Sequence, residues 1–160
     1  MEIERKWLLP PGFAPDTEGA EKLEMEQAYL CFHPSVRIRS INGTDFILTV
    51  KAPPLSGTPM LSREEFETAL SGEAYRMLLK KREGEVIQKT RYRRQRPDGL
   101  VEETDIFHGA LAGLAYMEIE FPTEEAALSF SCPNPAFREV TWEKGYSNAD
   151  LARCGLPDDI

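Results

Sequence analysis

The sequence has few cysteines, few histidines and no long hydrophobic run. Its three cysteines, Cys31, Cys132 and Cys154, show no CxxC spacing, and two histidines are too few for a zinc site. No apolar stretch approaches the roughly 18 residues that cross a bilayer, so we expect no membrane partner. The N-terminal residues are mostly charged, unlike a secretory signal, and this predicts a cytoplasmic protein.

Basic residues are also fewer than acidic residues. The 160 residues include 19 Lys and Arg against 27 Asp and Glu, which gives a formal net charge of −8. Nucleic-acid backbones repel such a surface, so the composition argues against a nucleic-acid partner. An anionic ligand would need a concentrated basic site. The length and the lack of an internal repeat predict one domain over residues 1–160.

Short segments with alternating apolar and polar residues recur along the chain between turn residues. This pattern predicts antiparallel β structure in which helices are minor. Asn42-Gly43 and Asp98-Gly99 predict two tight hairpin turns with positive φ. The predicted strands are residues 2–9, 24–32, 35–41, 45–52, 60–70, 86–95, 100–107 and 115–121.

Three short helices are expected between and after these strands. Apolar spacing predicts one over residues 71–82, and Thr123 opens a second over residues 123–130. Ser147, with Asp150 three residues later, resembles a capping box for a third helix. Because that helix is brief, we expect little chain to close one end of the fold.

Successive strand side chains point to opposite faces, and in this sequence one face is nearly saturated with charge. Bases concentrate on the third and sixth strands, and acids on the seventh and eighth. The charged face comprises Glu2, Glu4, Lys6, Arg37, Arg39, Lys51, Arg63, Glu65, Glu67, Lys89, Arg91, Arg93, Glu103, Asp105, Glu118 and Glu120.

Two interpretations of this face are open. The charges face water over an apolar core in most antiparallel sheets. Segregation of the two signs instead favours an α+β fold in which an eight-stranded antiparallel closed β-barrel, a tunnel with a charged interior, is flanked by a few short helices. Such a barrel holds about one small ligand. Enclosed charges need partners, and a polyphosphate with Mg²⁺ or Mn²⁺ suits both the bases and the carboxylates.

The segment Glu2-Ile-Glu4-Arg-Lys6 resembles the ExExK signature of the CYTH superfamily, the triphosphate tunnel metalloenzymes. Later segments match in order and cover nearly the whole chain, as in short single-domain bacterial members. They are Gln27-Ala-Tyr29-Leu30, Arg37-Ile-Arg39, Leu48-Thr-Val-Lys51, Arg63-Glu-Glu65-Phe-Glu67, Lys89-Thr-Arg91-Tyr92, Glu103-Thr-Asp105-Ile-Phe107, Glu118-Ile-Glu120 and Glu139-Val-Thr141. After Thr141 the pattern departs, because Lys144 is displaced by one residue.

The resemblance implies roles for individual residues. The metal ligands, for Mg²⁺ or Mn²⁺, are Glu2, Glu4, Glu118 and Glu120, with Asp105 contributing directly or through water. The phosphate-binding residues are Lys6, Arg37, Arg39, Lys51, Lys89 and Arg91, with Arg93 extending the row. Tyr29 and Lys51 match a general-base pair. The alternatives are exposed strand acids, cross-strand ion pairs and, for Tyr29, simple packing.

The resemblance also implies a metal-dependent hydrolase that converts inorganic tripolyphosphate to pyrophosphate and phosphate. A class IV adenylate cyclase, a thiamine triphosphatase and a non-catalytic polyphosphate- or nucleotide-binding module remain alternatives. A homodimer is common in this superfamily and is compatible with the sequence. Trp7 and Trp142 are expected to be packing residues.

Overall fold

The computed structural model of the protein describes residues 3–52 and 64–160. In these residues the chain forms one antiparallel sheet of nine strands and three short helices. The strands are β1 (Ile3–Leu8), β2 (Glu21–Cys31), β3 (Ser35–Ile41), β4 (Asp45–Ala52), β5 (Glu64–Leu70), β6 (Glu83–Gln95), β7 (Val101–His108), β8 (Ala115–Phe121) and β9 (Arg138–Glu139). The helices are α1 (Gly72–Leu79), α2 (Glu124–Ser129) and α3 (Asn148–Cys154).

The strand order across the sheet is β5-β4-β3-β2-β6-β7-β8-β1-β9. All eight predicted strands are present, so the antiparallel prediction is confirmed, and the two-residue β9 was not predicted. It adds to the outer edge of β1, where Trp7 lies opposite Glu139. In the described part of the chain no backbone pairing joins β5 to β9, so hydrogen bonds do not close the sheet into a barrel as expected.

Helices cover the apolar side of the sheet, as the alternation predicts. Tyr75 of α1 is buried against Ala28 of β2 and Ile38 of β3. Ala127 of α2 packs in a second cluster with Trp7 and Ile119 from β1 and β8. With this face covered by helices, the charged face is left to the concave side of the sheet.

The C-terminal helix α3 packs tightly against β6 and β2 although it is short. The Ser147 hydroxyl caps it by accepting a hydrogen bond from the Asp150 N–H at 3.1 Å. Leu151 is fully buried in the largest apolar cluster. The helix lies so close to β6 that a Cβ on Gly84 would lie 2.5 Å from the Ala152 carbonyl oxygen. A seven-residue helix therefore suffices for this packing because its backbone packs directly on a glycine.

Local predictions were mostly accurate. Asn42 and Gly43 both have positive φ, as the first hairpin requires. In the second turn only Gly99 has positive φ, because the turn includes Arg96, whose carbonyl accepts from the Gly99 N–H at 3.0 Å. Trp142 is 75% exposed, so its prediction as a packing residue was wrong.

Across residues 3–52 and 64–160, no helix combines the length and the apolar character needed to cross a membrane. Glu2 and Arg63, both singled out in the sequence, lie outside the described residues.

Candidate active site

The concave side of the sheet encloses a cavity of about 1190 Å³. Its lining comes from all eight long strands and from the start of α3. Most of the predicted charged face is there, which confirms that it points inward. The charged lining residues are Glu4, Lys6, Arg37, Arg39, Lys51, Glu65, Glu67, Lys89, Arg91, Glu103, Glu118 and Glu120.

One side of the cavity, formed by β6 and β7, carries charges that are already paired. Asp105 accepts hydrogen bonds from the Lys89 ammonium at 2.9 Å and from Arg91 at 2.8 and 2.9 Å. Arg91 also contacts Glu103 at 2.8 Å. The cross-strand register sets this arrangement, since Arg91 lies directly opposite Asp105. We call Lys89, Arg91 and Asp105 the paired wall.

Asp105 is ionised in this environment. Burial alone would raise the pKa of its carboxyl, but the Lys89 charge and the Arg91 hydrogen bond and charge lower that pKa to about 2. Lys89 and Asp105 are each 1% exposed. Both oxygens of Asp105 are thus taken up by cationic side chains, and in the cavity it acts on Lys89 and Arg91.

The neighbouring side, formed by β2 and β3, carries cationic groups with unsatisfied atoms. The Nε atoms of Arg37 and Arg39 are buried and have no hydrogen-bond partner among the described residues. Burial, together with the neighbouring Arg37 and Arg91 charges, lowers the pKa of Arg39 from its ordinary value. Because a bound anion would satisfy these groups and offset their repulsion, the geometry fits an oxyanion ligand.

The third group consists of carboxylates on β1 and β8. Glu4 lies opposite Glu120 in the strand register, and Lys6 lies opposite Glu118. Glu118 contacts the Lys6 ammonium at 3.4 Å, while Glu4 and Glu120 are exposed.

Carboxylate oxygens are ligands that Mg²⁺ and Mn²⁺ prefer, so this donor set fits the expected metal in kind. Over the two described ranges, no three acidic, histidine or cysteine side chains already converge on one metal position. A cation held here would therefore draw together Glu4, Glu118 and Glu120, which adjacent strands carry.

The predicted base pair, Tyr29 and Lys51, lines the cavity from β2 and β4. Tyr29 is 5% exposed and stacks on Phe32 with ring centroids 5.1 Å apart. Burial raises the pKa of its hydroxyl, and the nearby Arg37 only partly offsets this. Lys51 lies 3.9 Å from Glu65. Tyr29 is consequently a protonated phenol at neutral pH.

Arg93 is the predicted phosphate-binding residue that the structure does not bring to the cavity. It follows Lys89 and Arg91 on the same face of β6, but it is exposed and is not part of the lining. The strand simply extends beyond the cavity at this point.

Two lining residues were missed in the sequence. Gln27 is 1% exposed, and both polar atoms of its amide lack a partner in the part of the chain that the structure describes. Asn148, at the start of α3, accepts hydrogen bonds from the Tyr116 hydroxyl at 3.2 Å and from Lys89 at 3.5 Å. The alternation of β2 places Gln27 on the Tyr29 face, and this was the available signal.

The sequence is similar to characterised proteins over nearly its full length. It is 37% identical to an inorganic triphosphatase of Nitrosomonas europaea, covering 94% of this chain and 96% of that protein. It is 35% identical to an inorganic triphosphatase of Acetivibrio thermocellus, covering 95% and 93%.

Solved structures show a corresponding similarity in fold. A crystal structure of an inorganic triphosphatase matches with a TM-score of 0.71 at 34% identity, covering 95% of this chain and 94% of that one. A protein from Hippeastrum matches with a TM-score of 0.56 at 17% identity over 80% and 83%, a likeness in fold alone. Residues 1–146 match the CYTH domain, and the chain therefore belongs to the CYTH family.

Proposed function

We propose that this protein is a metal-dependent triphosphatase that cleaves inorganic tripolyphosphate to pyrophosphate and phosphate. The observation that carries the proposal is the pair of buried, unsatisfied Nε atoms of Arg37 and Arg39 inside an enclosed, charged cavity. Such atoms are costly unless a ligand satisfies them. Two relatives named inorganic triphosphatase, each matched over more than nine-tenths of its length, support this substrate class.

The bases would hold the substrate. Phosphoryl transfer needs positioning and charge neutralisation more than it needs covalent chemistry from the protein. Bidentate guanidinium groups suit phosphate oxygens, and ammonium groups supply point charges. In this assignment Asp105 holds the Lys89 and Arg91 side chains in place and is not a direct ligand of the metal. The substrate-binding residues are Lys6, Arg37, Arg39, Lys51, Lys89 and Arg91.

The carboxylates would hold Mg²⁺ or Mn²⁺. Glu4, Glu118 and Glu120 supply hard oxygen donors from two neighbouring strands, and we assign Glu2 to the same set from its sequence motif. Held by these carboxylates, a divalent cation would supply positive charge next to the phosphate oxygens. Lys6, 3.4 Å from Glu118, connects these carboxylates to the phosphate-binding bases.

Tyr29 and Lys51 remain the proposed catalytic pair. Because burial keeps the Tyr29 phenol protonated, it accepts a proton from water only after losing its own. The Arg37 and Arg39 charges favour that loss, and a nearby ammonium such as Lys51 would act in the same direction. The reaction by this route should therefore accelerate as pH rises.

The test is product release from tripolyphosphate, ATP and thiamine triphosphate, each with Mg²⁺, Mn²⁺ or a chelator. We expect equal amounts of phosphate and pyrophosphate from tripolyphosphate, loss of activity with the chelator, and loss in Glu4→Gln. Formation of cyclic AMP from ATP would assign cyclase chemistry instead. If thiamine triphosphate were cleaved faster than tripolyphosphate, the protein would be a thiamine triphosphatase. Tight binding of a triphosphate without turnover would indicate a binding module.

The cellular setting belongs to the same proposal. All three cysteines are free thiols, which is typical of a reducing compartment and agrees with the expected cytoplasmic location. We propose no nucleic-acid partner, and the homodimer remains a prediction that light scattering on the purified protein would test.

A further inference from the structure

Gln27 stands out among the residues that line the cavity. It lies on β2 directly opposite Arg39 of β3, and on its other side it faces the apolar side chain of Ile87 on β6. The residue is 1% exposed. Neither the Nε2 nor the Oε1 atom of its amide has a hydrogen-bond partner within residues 3–52 and 64–160.

An unsatisfied buried amide is unfavourable for stability. Leaving such a group without a partner costs about 1–3 kcal/mol, and most buried polar atoms in proteins are paired. Arg39 could supply the missing donor, since its own Nε is also unpaired, yet the two groups do not bond. Both side chains therefore keep unused hydrogen-bonding capacity for a third group that enters the cavity.

The chemistry of the amide restricts what that group is. A fully ionised triphosphate offers only acceptor oxygens, so in that form it can satisfy Nε2 but not Oε1. The arginine donors nearby are needed by the same phosphates. A water molecule is the remaining donor, and hydrolysis requires one next to the terminal phosphorus.

We propose that Gln27 is a catalytic residue that holds the attacking water of the triphosphatase reaction. Its Nε2 donates to an oxygen of the terminal phosphoryl group, and its Oε1 accepts a hydrogen from the water. This inference rests on the proposed function. Gln27, Arg37 and Arg39 all line the same cavity, so one phosphoryl group could contact all three side chains.

The step balances without a proton change on Gln27. The water oxygen forms a bond to the terminal phosphorus while the bond from phosphorus to the bridging oxygen breaks, and pyrophosphate leaves with that electron pair. One hydrogen of the water remains on the product phosphate, and the other leaves as a proton. An amide suits this role because it does not titrate, whereas the neighbouring Tyr29 does.

The experiment compares Gln27→Met with Gln27→Glu and with a matched control. Met preserves length without polar atoms, and Glu preserves shape and the acceptor but cannot donate to phosphate. Gln88→Met is the control, because Gln88 lies on β6 outside the cavity and contacts Glu26 at 3.4 Å. Each purified full-length variant is tested for kcat, KM, its pH profile, its affinity for tripolyphosphate and its thermal midpoint.

We expect Gln27→Met to lower kcat about 10²-fold, the usual effect of removing one positioned hydrogen-bonding group. Its affinity for tripolyphosphate should change less than threefold, its pH profile should keep the wild-type shape, and its thermal midpoint should not fall because an unpaired amide is gone. Gln27→Glu should have a lower kcat and also a higher KM, because the new carboxylate repels the phosphate. Gln88→Met should match wild type.

Several results would overturn the inference. A Gln27→Met enzyme with kcat within twofold of wild type would exclude the role, and a higher KM at unchanged kcat would make Gln27 a binding group only. A fall in thermal midpoint that accounts for the lost activity would make it structural. Failure of the wild type to cleave any triphosphate would refute the proposed function itself, and the two failures are thereby distinguished.

Discussion

The two sides of the cavity carry similar cationic side chains in opposite states. On the paired wall, Lys89 and Arg91 are bound to Asp105 at 2.8–2.9 Å. On the other side, which we call the open wall and define as Gln27, Arg37 and Arg39, buried polar atoms have no partner among the described residues. The paired wall is held in place by the protein's own ion pairs, whereas the open wall has buried donors and acceptors that a ligand would satisfy. We therefore expect the paired wall to contribute mainly to folding stability and the open wall mainly to ligand binding.

The largest effect is expected from breaking the paired wall with Asp105→Asn. Removing one partner from a buried ion pair typically costs about 3–5 kcal/mol, because the remaining charge is left in a low-dielectric interior. We expect a loss of that size in the free energy of unfolding, measured by urea denaturation without divalent cation. Asp16→Asn is the control, since its contact with Arg94 is exposed and exposed ion pairs contribute little to stability.

Acid should remove the difference between wild type and Asp105→Asn. Asp105 has a folded pKa of about 2, below its ordinary value of 3.8. A depressed pKa contributes stability that is present above the unfolded value and disappears as pH falls through the folded value. The gap in unfolding free energy should therefore shrink between about pH 4 and pH 2. A gap that is independent of pH would contradict the role of the carboxylate charge.

The next largest effect should come from the open wall, with Arg39→Met. Hydrogen bonds to charged groups contribute about 1.5–3 kcal/mol, which corresponds to roughly 10- to 150-fold weaker tripolyphosphate binding by calorimetry. The unfolding free energy of the ligand-free protein should stay equal or rise, because a buried Nε atom without a hydrogen-bond partner is removed. If Arg39→Met were as destabilising as Asp105→Asn, the distinction between the two walls would be wrong.

A smaller effect is expected for Tyr29→Phe. Positioned bases usually contribute 10²- to 10⁴-fold, but a phenol that burial keeps protonated contributes less, and we expect kcat to fall about tenfold near neutral pH. Wild-type kcat should increase with pH to above 10, while the variant should lack that increase. Equal pH profiles measured for the two proteins would exclude Tyr29 as the base.

The smallest effect should come from Arg93→Ala, which marks where the paired wall ends. Arg93 shares the β6 face with Arg91 but is exposed outside the cavity. Surface substitutions of this kind usually change stability by less than about 0.5 kcal/mol. We expect KM and kcat for tripolyphosphate within twofold of wild type in steady-state assays. A KM change comparable to that of Arg39→Met would extend the substrate site beyond the observed lining.

Alternation along single strands predicted which charged residues line the cavity, because side-chain direction follows from sequence position once a segment is a strand. It did not predict that Arg91 lies opposite Asp105, because register depends on the turn between β6 and β7, which includes Arg96 as well as Asp98-Gly99. The contacts of Asp105 with Lys89 and Arg91 follow from this register, while its part in the metal site stays a prediction.

The remaining misses have local physical causes. Gln27 was overlooked because it carries no charge, although its lack of a partner makes it informative once burial is known. The tight packing of α3 depends on its contact with Gly84, which is distant in sequence. The exposed Trp142 shows that an aromatic residue near a motif need not be part of the core.

The distant pairing partners of β1 have a consequence for how the chain acquires its structure. Among the described residues this first strand, which carries Glu4 and Lys6, pairs with β8 and β9, and Arg5 contacts Glu139 across 134 residues of sequence. During synthesis at about 5–20 residues per second, β1 waits on the order of ten seconds for those partners. Such long-range pairing slows folding, so the carboxylate side of the cavity should be the last to form.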